Sequence, residues 1–196
     1  MFSSDLWNKS SAEDYTIDNS LRFNDPDSAY LARTPGSSGN RRTWTWSGWV
    51  KRSNLAVGYQ AIFTQATGTS PPSEGIWFSD DNFIFTRLGN VVINISSAVF
   101  RDPSAWYHIV VALNTPDGTP ADRLKVWVNN EQITSWGTSA TITQDADGYI
   151  NHTGESTVGK STAGEYFDGY LAEVYLIDGT ALTPSSFGEL DSTTNQ

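Results

Sequence analysis

Short stretches rich in β-branched and aromatic residues, separated by turn residues, follow one another from residue 21 to residue 177. Strands joined by tight turns give this pattern. Helices instead need apolar residues at a period of about 3.6 over several turns, and no segment keeps that period for three turns. Only 17% of residues are charged, and Thr, Ser, Gly and Asn are abundant, which favours strands and turns over helices. The pattern therefore predicts an all-β protein.

A dozen strands are predicted in one unbroken series, with no repeat of constant period. They cover residues 21–23, 29–31, 43–51, 60–64, 75–78, 82–87, 90–95, 106–113, 124–129, 131–134, 156–160 and 167–177. A closed barrel of so many strands would enclose a wide lumen, so two antiparallel sheets packed face to face are expected. We predict one sandwich domain over residues 19–190, a polar lead-in or docking segment over 1–18, and a tail over 191–196.

Two predicted strands show which side chains face the core. In 106–113 both faces are apolar, which predicts a strand in the middle of a sheet. In 124–129 the residues Leu124, Val126 and Val128 share one face, and Trp127 lies on the other. After the last strand, Thr183 and Pro184 are predicted to begin one helical turn.

The charge of the chain excludes two classes of partner. It has 12 Lys and Arg against 22 Asp and Glu, a net charge of −10. Nucleic acids need a basic stripe and anionic membranes attract basic segments, so neither partner is expected. No run approaches the ~18 apolar residues of a membrane span, and the first residues lack the pattern of a signal peptide. Without cysteine there is no disulfide and no thiolate metal site.

Four segments in order resemble laminin-G-like domains of the concanavalin A-like type. They are WTWSGWVK at 44–51, WYHIV at 106–110, LKVWVNNE at 124–131 and FDGYLAEVYL at 167–176. The third departs from the family pattern at Asn130, where glycine is usual. Order and spacing agree over residues 19–189, nearly the whole chain. The resemblance implies a jelly-roll β-sandwich of the concanavalin A-like lectin and glucanase type.

Three segments are similar in more detail to laminin-G-like domains encoded in structural genes of marine tailed bacteriophages. These are SLRFN at 20–24, the strand at 44–52, and YLAEVYLIDGTAL at 170–182. This resemblance implies a virion component, such as a capsid fibre, a decoration protein or a tail adhesin. Such a protein is made in the host cytoplasm and lies on the particle surface. It would attach to other virion proteins through its N-terminal segment and form a homo-oligomer, for example a trimer.

The residues for glycoside hydrolysis are not found on a strand. Hydrolases of this fold use paired carboxylates in an E-x-D-x-x-E pattern. The one fragment that begins this way is Glu189-Leu190-Asp191, but residue 194 is Thr and the fragment lies in a polar tail. The two histidines, His108 and His152, are a poor donor set for a transition metal. His108 lies in an apolar strand and is predicted to be a hydrogen-bonded core residue.

Calcium is the metal that the composition favours, because it binds clustered oxygen ligands in loops. The candidate ligands are Asp25, Asp27 and Asp168. The alternative is that these residues only form turns, for which Asp is well suited. In the superfamily that the chain resembles, a carboxylate near the position of Ala172 helps to hold a structural Ca²⁺. Alanine has no carboxylate, so this departure from the family pattern counts against the inherited calcium site.

Glycan binding needs aromatic faces that stack on sugar rings, with hydrogen-bonding side chains nearby. Four aromatic residues on or beside polar segments are predicted to provide them: Trp77, Trp127, Trp136 and Tyr149. Packing in the core is the alternative for each of these rings. The core itself is predicted to contain Trp44, Trp46, Trp49 and Trp106.

Three hypotheses of function follow. The first is a non-enzymatic virion domain that binds carbohydrate on the host surface. The second is a purely structural capsid decoration or cement protein without glycan binding. The third is a carbohydrate-active hydrolase, which the missing E-x-D-x-x-E pattern disfavours.

Overall fold

The fold is an antiparallel β-sandwich of two sheets. The computed structural model describes residues 17–56, 58–68, 73–89 and 91–188. Sheet A has six strands, and sheet B has seven. The predicted all-β, two-sheet jelly-roll architecture is confirmed.

The strands are short and joined by turns, as the sequence pattern indicates. Their bounds are β1 Leu21–Phe23, β2 Leu31–Arg33, β3 Thr43–Arg52, β4 Gln60–Ala66, β5 Ser73–Phe78, β6 Phe83–Leu88, β7 Val91–Val99, β8 Tyr107–Asn114, β9 Leu124–Val128, β10 Glu131–Gln132, β11 Trp136–Ser139, β12 Ser156–Val158 and β13 Gly169–Asp178. The strand order is β1-β13-β3-β8-β9-β10 in sheet A and β11-β7-β6-β5-β4-β12-β2 in sheet B. Strand β11 was not predicted, and the other twelve lie at or beside predicted positions. The predicted segments at 1–18 and 191–196 lie almost wholly outside the described residues.

Side-chain alternation places the core between the sheets. On β8, Ile109 and Val111 point into the main core, while Val110 lies in a separate cluster on the opposite face. On β9, Val126 and Val128 are in the core and Trp127 lies on the other face. Strand β8 pairs with β3 on one side and β9 on the other. The predicted central position of this strand is therefore confirmed.

Strand β13 completes sheet A between the first strand and the third. It pairs with β1 along Leu21–Phe23 and with β3 along most of its length. Its register shifts between Ala172 and Tyr175, and Glu173 in this interval has a φ of 49°. Such a bulge turns the following side chains. Tyr175 is exposed as a result of its place on the outer face.

A buried carboxylate fastens two loops to sheet B. Glu74 on β5 is fully buried. One of its oxygens accepts the backbone N–H of Gly89, and the other accepts that of Ile150 at 2.9 Å. Burial raises the pKa of Glu74 above its usual value. The backbone N–H groups that bond its carboxylate, including that of Tyr149, lower the pKa and offset this rise only in part. The loop before β12 is thereby held against the β6–β7 turn.

The described helical segments are three 3-10 turns, at Asp25–Asp27, Pro120–Asp122 and Pro184–Ser186. The last confirms the predicted turn after β13. Thr183 precedes it but makes no side-chain capping bond; its hydroxyl pairs with that of Ser185 at 2.9 Å. Among the described residues, no helix has the length and hydropathy to cross a membrane.

Candidate functional site

The segment after β13 crosses the outer face of sheet A. Thr45 on β3 anchors it, because its hydroxyl donates to the carbonyl of Thr180 at 2.8 Å and accepts the N–H of Leu182 at 2.8 Å. Further along, Phe187 packs on an apolar cluster formed by Val110, Ala112 and Trp127. The segment thus covers one part of the face and forms a wall beside the uncovered part.

A cavity of about 370 Å³ lies beside that wall. Its volume is at the lower end of the range of small-ligand pockets, ~300 to 1,000 Å³. Aromatic rings and amide side chains dominate its lining: Trp49, Trp106, His108, Asn129, Asn130 and Phe187. Of the described residues that line it, none is Asp, Glu, Lys or Arg. We call this cavity the outer-face pocket.

Stacked rings form its floor. Trp49 and His108 stack with centroids 4.9 Å apart and an interplanar angle of 27°. Phe187 meets His108 edge-on at 6.4 Å. Because Trp49 and Trp106 are half-buried rather than buried, part of each side chain stays accessible to a ligand.

His108 is held in one place and carries little charge. Its Nε2 atom hydrogen-bonds the hydroxyl of Ser47 at 2.9 Å. Burial lowers the pKa of His108, and the carboxylate of Glu173 raises it only in part. The predicted hydrogen-bonded histidine is confirmed, although its ring lies on the outer face of sheet A rather than in the core. The described lining of the pocket is accordingly neutral at pH 7.

The amides come from the tight turn between β9 and β10. Asn129 and Asn130 both have positive φ, 50° and 66°, as in the two-residue hairpin turns that favour Asn and Gly. Asn129 fixes the turn to β8, because its Oδ1 accepts the N–H of His108 at 2.8 Å. Asn130 is exposed, and no described residue hydrogen-bonds its side chain. It is therefore free to bond a ligand at the mouth of the pocket.

This arrangement suits a sugar ring. The C–H face of a pyranose packs on an aromatic ring, and its hydroxyl groups exchange hydrogen bonds with amides. The lining offers both at once, and its described residues include no pair of carboxylates for acid–base chemistry. The pocket can bind and orient such a ring.

The family model of laminin-G type for the concanavalin A-like lectin/glucanases superfamily matches residues 25–186. The chain belongs to this superfamily. No curated protein sequence matches it.

Solved structures of three other proteins share the fold at low sequence identity. A SAP-like pentraxin from Limulus polyphemus, crystallised as a heptamer, is 16% identical with a TM-score of 0.55, over 85% of this chain and 76% of that one. The CBM40 domain of a Ruminococcus gnavus IT-sialidase, bound to α2,3-sialyllactose, is 14% identical with a TM-score of 0.50, over 81% and 96%. Trypanosoma rangeli sialidase is 11% identical with a TM-score of 0.52, over 74% of this chain and 22% of the sialidase. These likenesses show the fold alone.

Two of the predicted glycan-binding rings are buried in this member of the superfamily. Trp77 is 1% exposed; its Nε1 donates to Glu165 at 2.9 Å, and Arg87 lies over its ring. Trp127 is 8% exposed because Phe187 covers it. The expectation of open stacking faces at Trp77 and Trp127 is therefore corrected.

The other two predicted rings are half-buried and lie apart. Trp136 begins β11 at the edge of sheet B and lines another cavity. Tyr149 lies in the loop before β12, between the guanidinium of Arg41 at 5.7 Å and the ring of His152 at 6.0 Å. The structure brings neither of them to the outer-face pocket.

The predicted calcium ligands are not assembled into a cluster. Asp25 and Asp27 share a 3-10 turn, where Asp27 accepts a hydrogen bond from Asn24. Asp168 precedes β13, and its carbonyl accepts the N–H of Ser53 at 2.9 Å. Within the described ranges, no three acidic or histidine side chains gather as a metal site. Calcium binding stays a prediction.

The sequence interpretation missed two pocket residues by assigning Trp49 and Trp106 to the core. Strand alternation contains the missing signal for Trp49. Trp44 and Trp46 are two residues apart and share the inner face, whereas Trp49 is three residues beyond Trp46 and must face outward. For Trp106, which precedes β8, no such signal exists.

A larger cavity of about 640 Å³ opens between β2 and β13. Its aromatic rings, Trp46 and Phe63, belong to the buried core, and exposed Leu31 and Leu176 stand at its sides. Because neither ring presents an open face, the cavity fits a sugar less well than the outer-face pocket does.

Proposed function

We propose that the chain is a non-enzymatic carbohydrate-binding domain displayed on a virus particle, and that its outer-face pocket binds glycans of the host surface. The observation that carries this proposal is the meeting of half-buried Trp49 and Trp106 with the free amide of Asn130 in one uncharged pocket. The carbohydrate ligand of the similarly folded CBM40 domain supports it.

The expected affinity of one pocket is low. A dissociation constant of 1 mM corresponds to a standard binding free energy of about −4.1 kcal/mol. One ring stacked on a sugar and a few hydrogen bonds to neutral groups, each contributing roughly 0.5 to 1.5 kcal/mol, supply a free energy of this order. Several copies held together raise the effective affinity. We therefore propose that the domain works as a homo-oligomer, for example a trimer, and the heptameric pentraxin of similar fold supports an oligomer.

The virion assignment rests on the similarity of segments 20–24, 44–52 and 170–182 to laminin-G-like domains of marine phage structural proteins. We propose that residues 1–18 attach the domain to other virion proteins. Deleting these residues should remove the domain from particles and leave its circular dichroism spectrum unchanged. Particles that retain the shortened protein would contradict this attachment.

A glycan array tests the carbohydrate function with the domain presented multivalently on beads. Asn130→Gly is the decisive variant, because glycine keeps the positive φ of the turn and removes the amide. The loss of one or two neutral hydrogen bonds should weaken glycan binding roughly 3- to 30-fold. Trp106→Ala, which removes a ring from the pocket, should abolish detectable binding.

Tyr59→Ala is the matched control, because Tyr59 is an exposed aromatic residue that packs on Phe85 of sheet B. It should bind like the unmodified protein. Equal binding by all four proteins would refute the outer-face pocket as the site. No binding of the unmodified protein to any glycan, or to host envelopes, would refute the carbohydrate function itself.

A further inference from the structure

A groove opens along one side of the sandwich, between an edge strand of each sheet. Strand β1 lies at one edge of sheet A, and β2 lies at one edge of sheet B. The cavity of about 640 Å³ beside β2 and a second cavity of about 460 Å³ beside β1 are both lined by Leu31, Val158 and Val174. The two cavities are therefore one continuous depression, which we call the edge groove.

The edge groove exposes apolar side chains to solvent. Leu21, Leu31 and Leu176 line it, and they are 48%, 52% and 37% exposed. Two rings of the main core, Trp46 and Phe63, lie at the bottom of its larger part. Single exposed apolar residues are normal, whereas a contiguous apolar surface marks a docking site. The groove therefore indicates that an apolar partner covers it.

The backbone beside the groove can accept a further strand. Strand β2 pairs with β12 along Leu31–Arg33, and no other described strand pairs with it. The free N–H and C=O groups of an edge strand can pair with an added strand. An extended segment that binds in this way places alternate side chains in the pockets beside it. The groove thus fits an extended segment whose apolar residues are an even number of positions apart.

The chain itself contains such a segment. Residues 1–16 lie outside the described residues and lead into Ile17. Phe2 and Leu6 are apolar, and residues 3–5 between them are polar. In an extended strand, residues four positions apart point to the same face. Phe2 and Leu6 would therefore both point into a groove beside the strand.

The register of β1 directs this segment away from its own groove. Strand β1 is antiparallel to β13, with Leu21 opposite Leu171. In an extended continuation, residue 14, seven before Leu21, lies opposite Asp178, seven after Leu171, where β13 ends. Leu6 is eight residues further from β1, which adds about 26 Å at ~3.3 Å per residue. An extended N-terminal segment thus passes beyond its own sandwich, where it can meet a neighbouring copy.

We propose that residues 2–7 of one copy add a strand to the free edge of β2 in a second copy and place Phe2 and Leu6 in its edge groove. This contact joins the copies of the homo-oligomer proposed above, and the inference rests on that part of the proposed function but not on glycan binding. The described linings of the edge groove and the outer-face pocket share no residue. Joined copies therefore keep their outer-face pockets open.

Cysteine cross-linking tests which chain fills the groove. Because the chain has no cysteine, each introduced pair reports one contact. Leu6→Cys is mixed in urea with a separate Leu31→Cys or Leu176→Cys protein, and the mixture is refolded and oxidised. We expect disulfides between residue 6 and a groove residue, identified by mass spectrometry, and in this mixture they can only join two chains. Val99→Cys replaces an exposed residue of β7 and is the matched control. Its yield should be much lower, because no docking raises the effective concentration of its thiol.

Light scattering during gel filtration measures the association itself. The unmodified protein should have a mass of at least two chains of 21.5 kDa. Leu31→Glu places a charge in the groove at an exposed position, and Leu6→Ser removes an apolar side chain from the segment. Each should raise the dissociation constant of the oligomer roughly 10- to 100-fold, because one leucine side chain is no longer buried. Tyr59→Glu introduces the same charge at an exposed residue outside the groove and should leave the mass unchanged.

The possible results separate this contact from the other proposals. A monomeric unmodified protein would overturn both the groove contact and the homo-oligomer, while binding to a glycan array on beads would still support the carbohydrate function. An oligomer that forms neither disulfide, or that keeps its mass in both Leu31→Glu and Leu6→Ser, would overturn the groove contact alone. A bond within one chain of the double variant Leu6→Cys/Leu176→Cys, with none in the mixtures, would show that the segment folds back onto its own groove and would refute the second copy as its partner.

Discussion

Replacing Phe187 with alanine should destabilise the protein and expose Trp127. Removing a fully buried phenylalanine ring costs roughly 3 to 5 kcal/mol. Phe187 is half-buried over Val110, Ala112 and Trp127, so about half of that value, ~2 kcal/mol, is expected. At about 1.4 kcal/mol per factor of ten, the unfolded fraction rises roughly 30-fold. The anchor at Thr45 stays, and the rest of the segment keeps its place.

Equilibrium unfolding in urea, followed by circular dichroism, measures this loss. Tryptophan emission of the folded protein should shift to longer wavelength, because the ring of Trp127 meets water. Phe187→Leu keeps much of the apolar contact and should lose less than ~1.5 kcal/mol. A loss below ~0.5 kcal/mol for the alanine variant, the usual range for surface positions, together with unchanged emission, would refute the packing of Phe187 on sheet A.

Three further predictions concern buried or charged side chains. Burial lowers the pKa of His108 in the folded protein. As the pH falls, the unfolded chain therefore binds a proton at this histidine before the folded protein does. The stability that neutral His108 contributes is present above about pH 6.5 and is lost as the pH drops through the lower pKa of the folded state. His108→Gln should flatten that part of a plot of unfolding free energy against pH, and an unchanged slope would contradict it. Glu74→Gln places an NH₂ group against a backbone N–H and should cost at least ~1 to 3 kcal/mol in urea unfolding; an unaltered midpoint would disprove the loop clamp. Calcium at 100 times its dissociation constant should add about 2.7 kcal/mol of stability to a chain that binds it, and an equal rise in melting temperature for Asp168→Asn would exclude that carboxylate as a ligand.

Local sequence patterns were sufficient to predict most of the fold. The turn residues mark strand ends, and the two apolar faces of β8 already indicate a strand with neighbours on both sides. Strand β11 was not predicted because its four residues, Trp-Gly-Thr-Ser, include a glycine and do not alternate between apolar and polar residues. Its pairing with β7 is a long-range interaction, and no short window of sequence contains it.

The candidate site was predicted less well, because distant segments decide which rings are exposed. Trp77 lies shortly before a polar segment at residues 79–82, but Glu165, which is 88 residues away, reaches its indole nitrogen. Trp127 is covered by Phe187, from a segment whose sequence indicates only a turn. The sequence shows that Trp49 and Asn130 are residue types that suit glycan binding. It does not show that they meet in one pocket, because that depends on the pairing of β3, β8 and β9.

The position of β13 has a consequence for synthesis on the ribosome. This strand is the last of the described strands to be made, yet it fills the place between β1 and β3. Until it leaves the exit tunnel, β1 lacks its described neighbour and one edge of β3 remains open. Unpaired edges of this kind promote aggregation in partly made chains. Sheet A is therefore expected to close only after translation has passed residue 178, so a nascent chain arrested earlier should remain sensitive to protease.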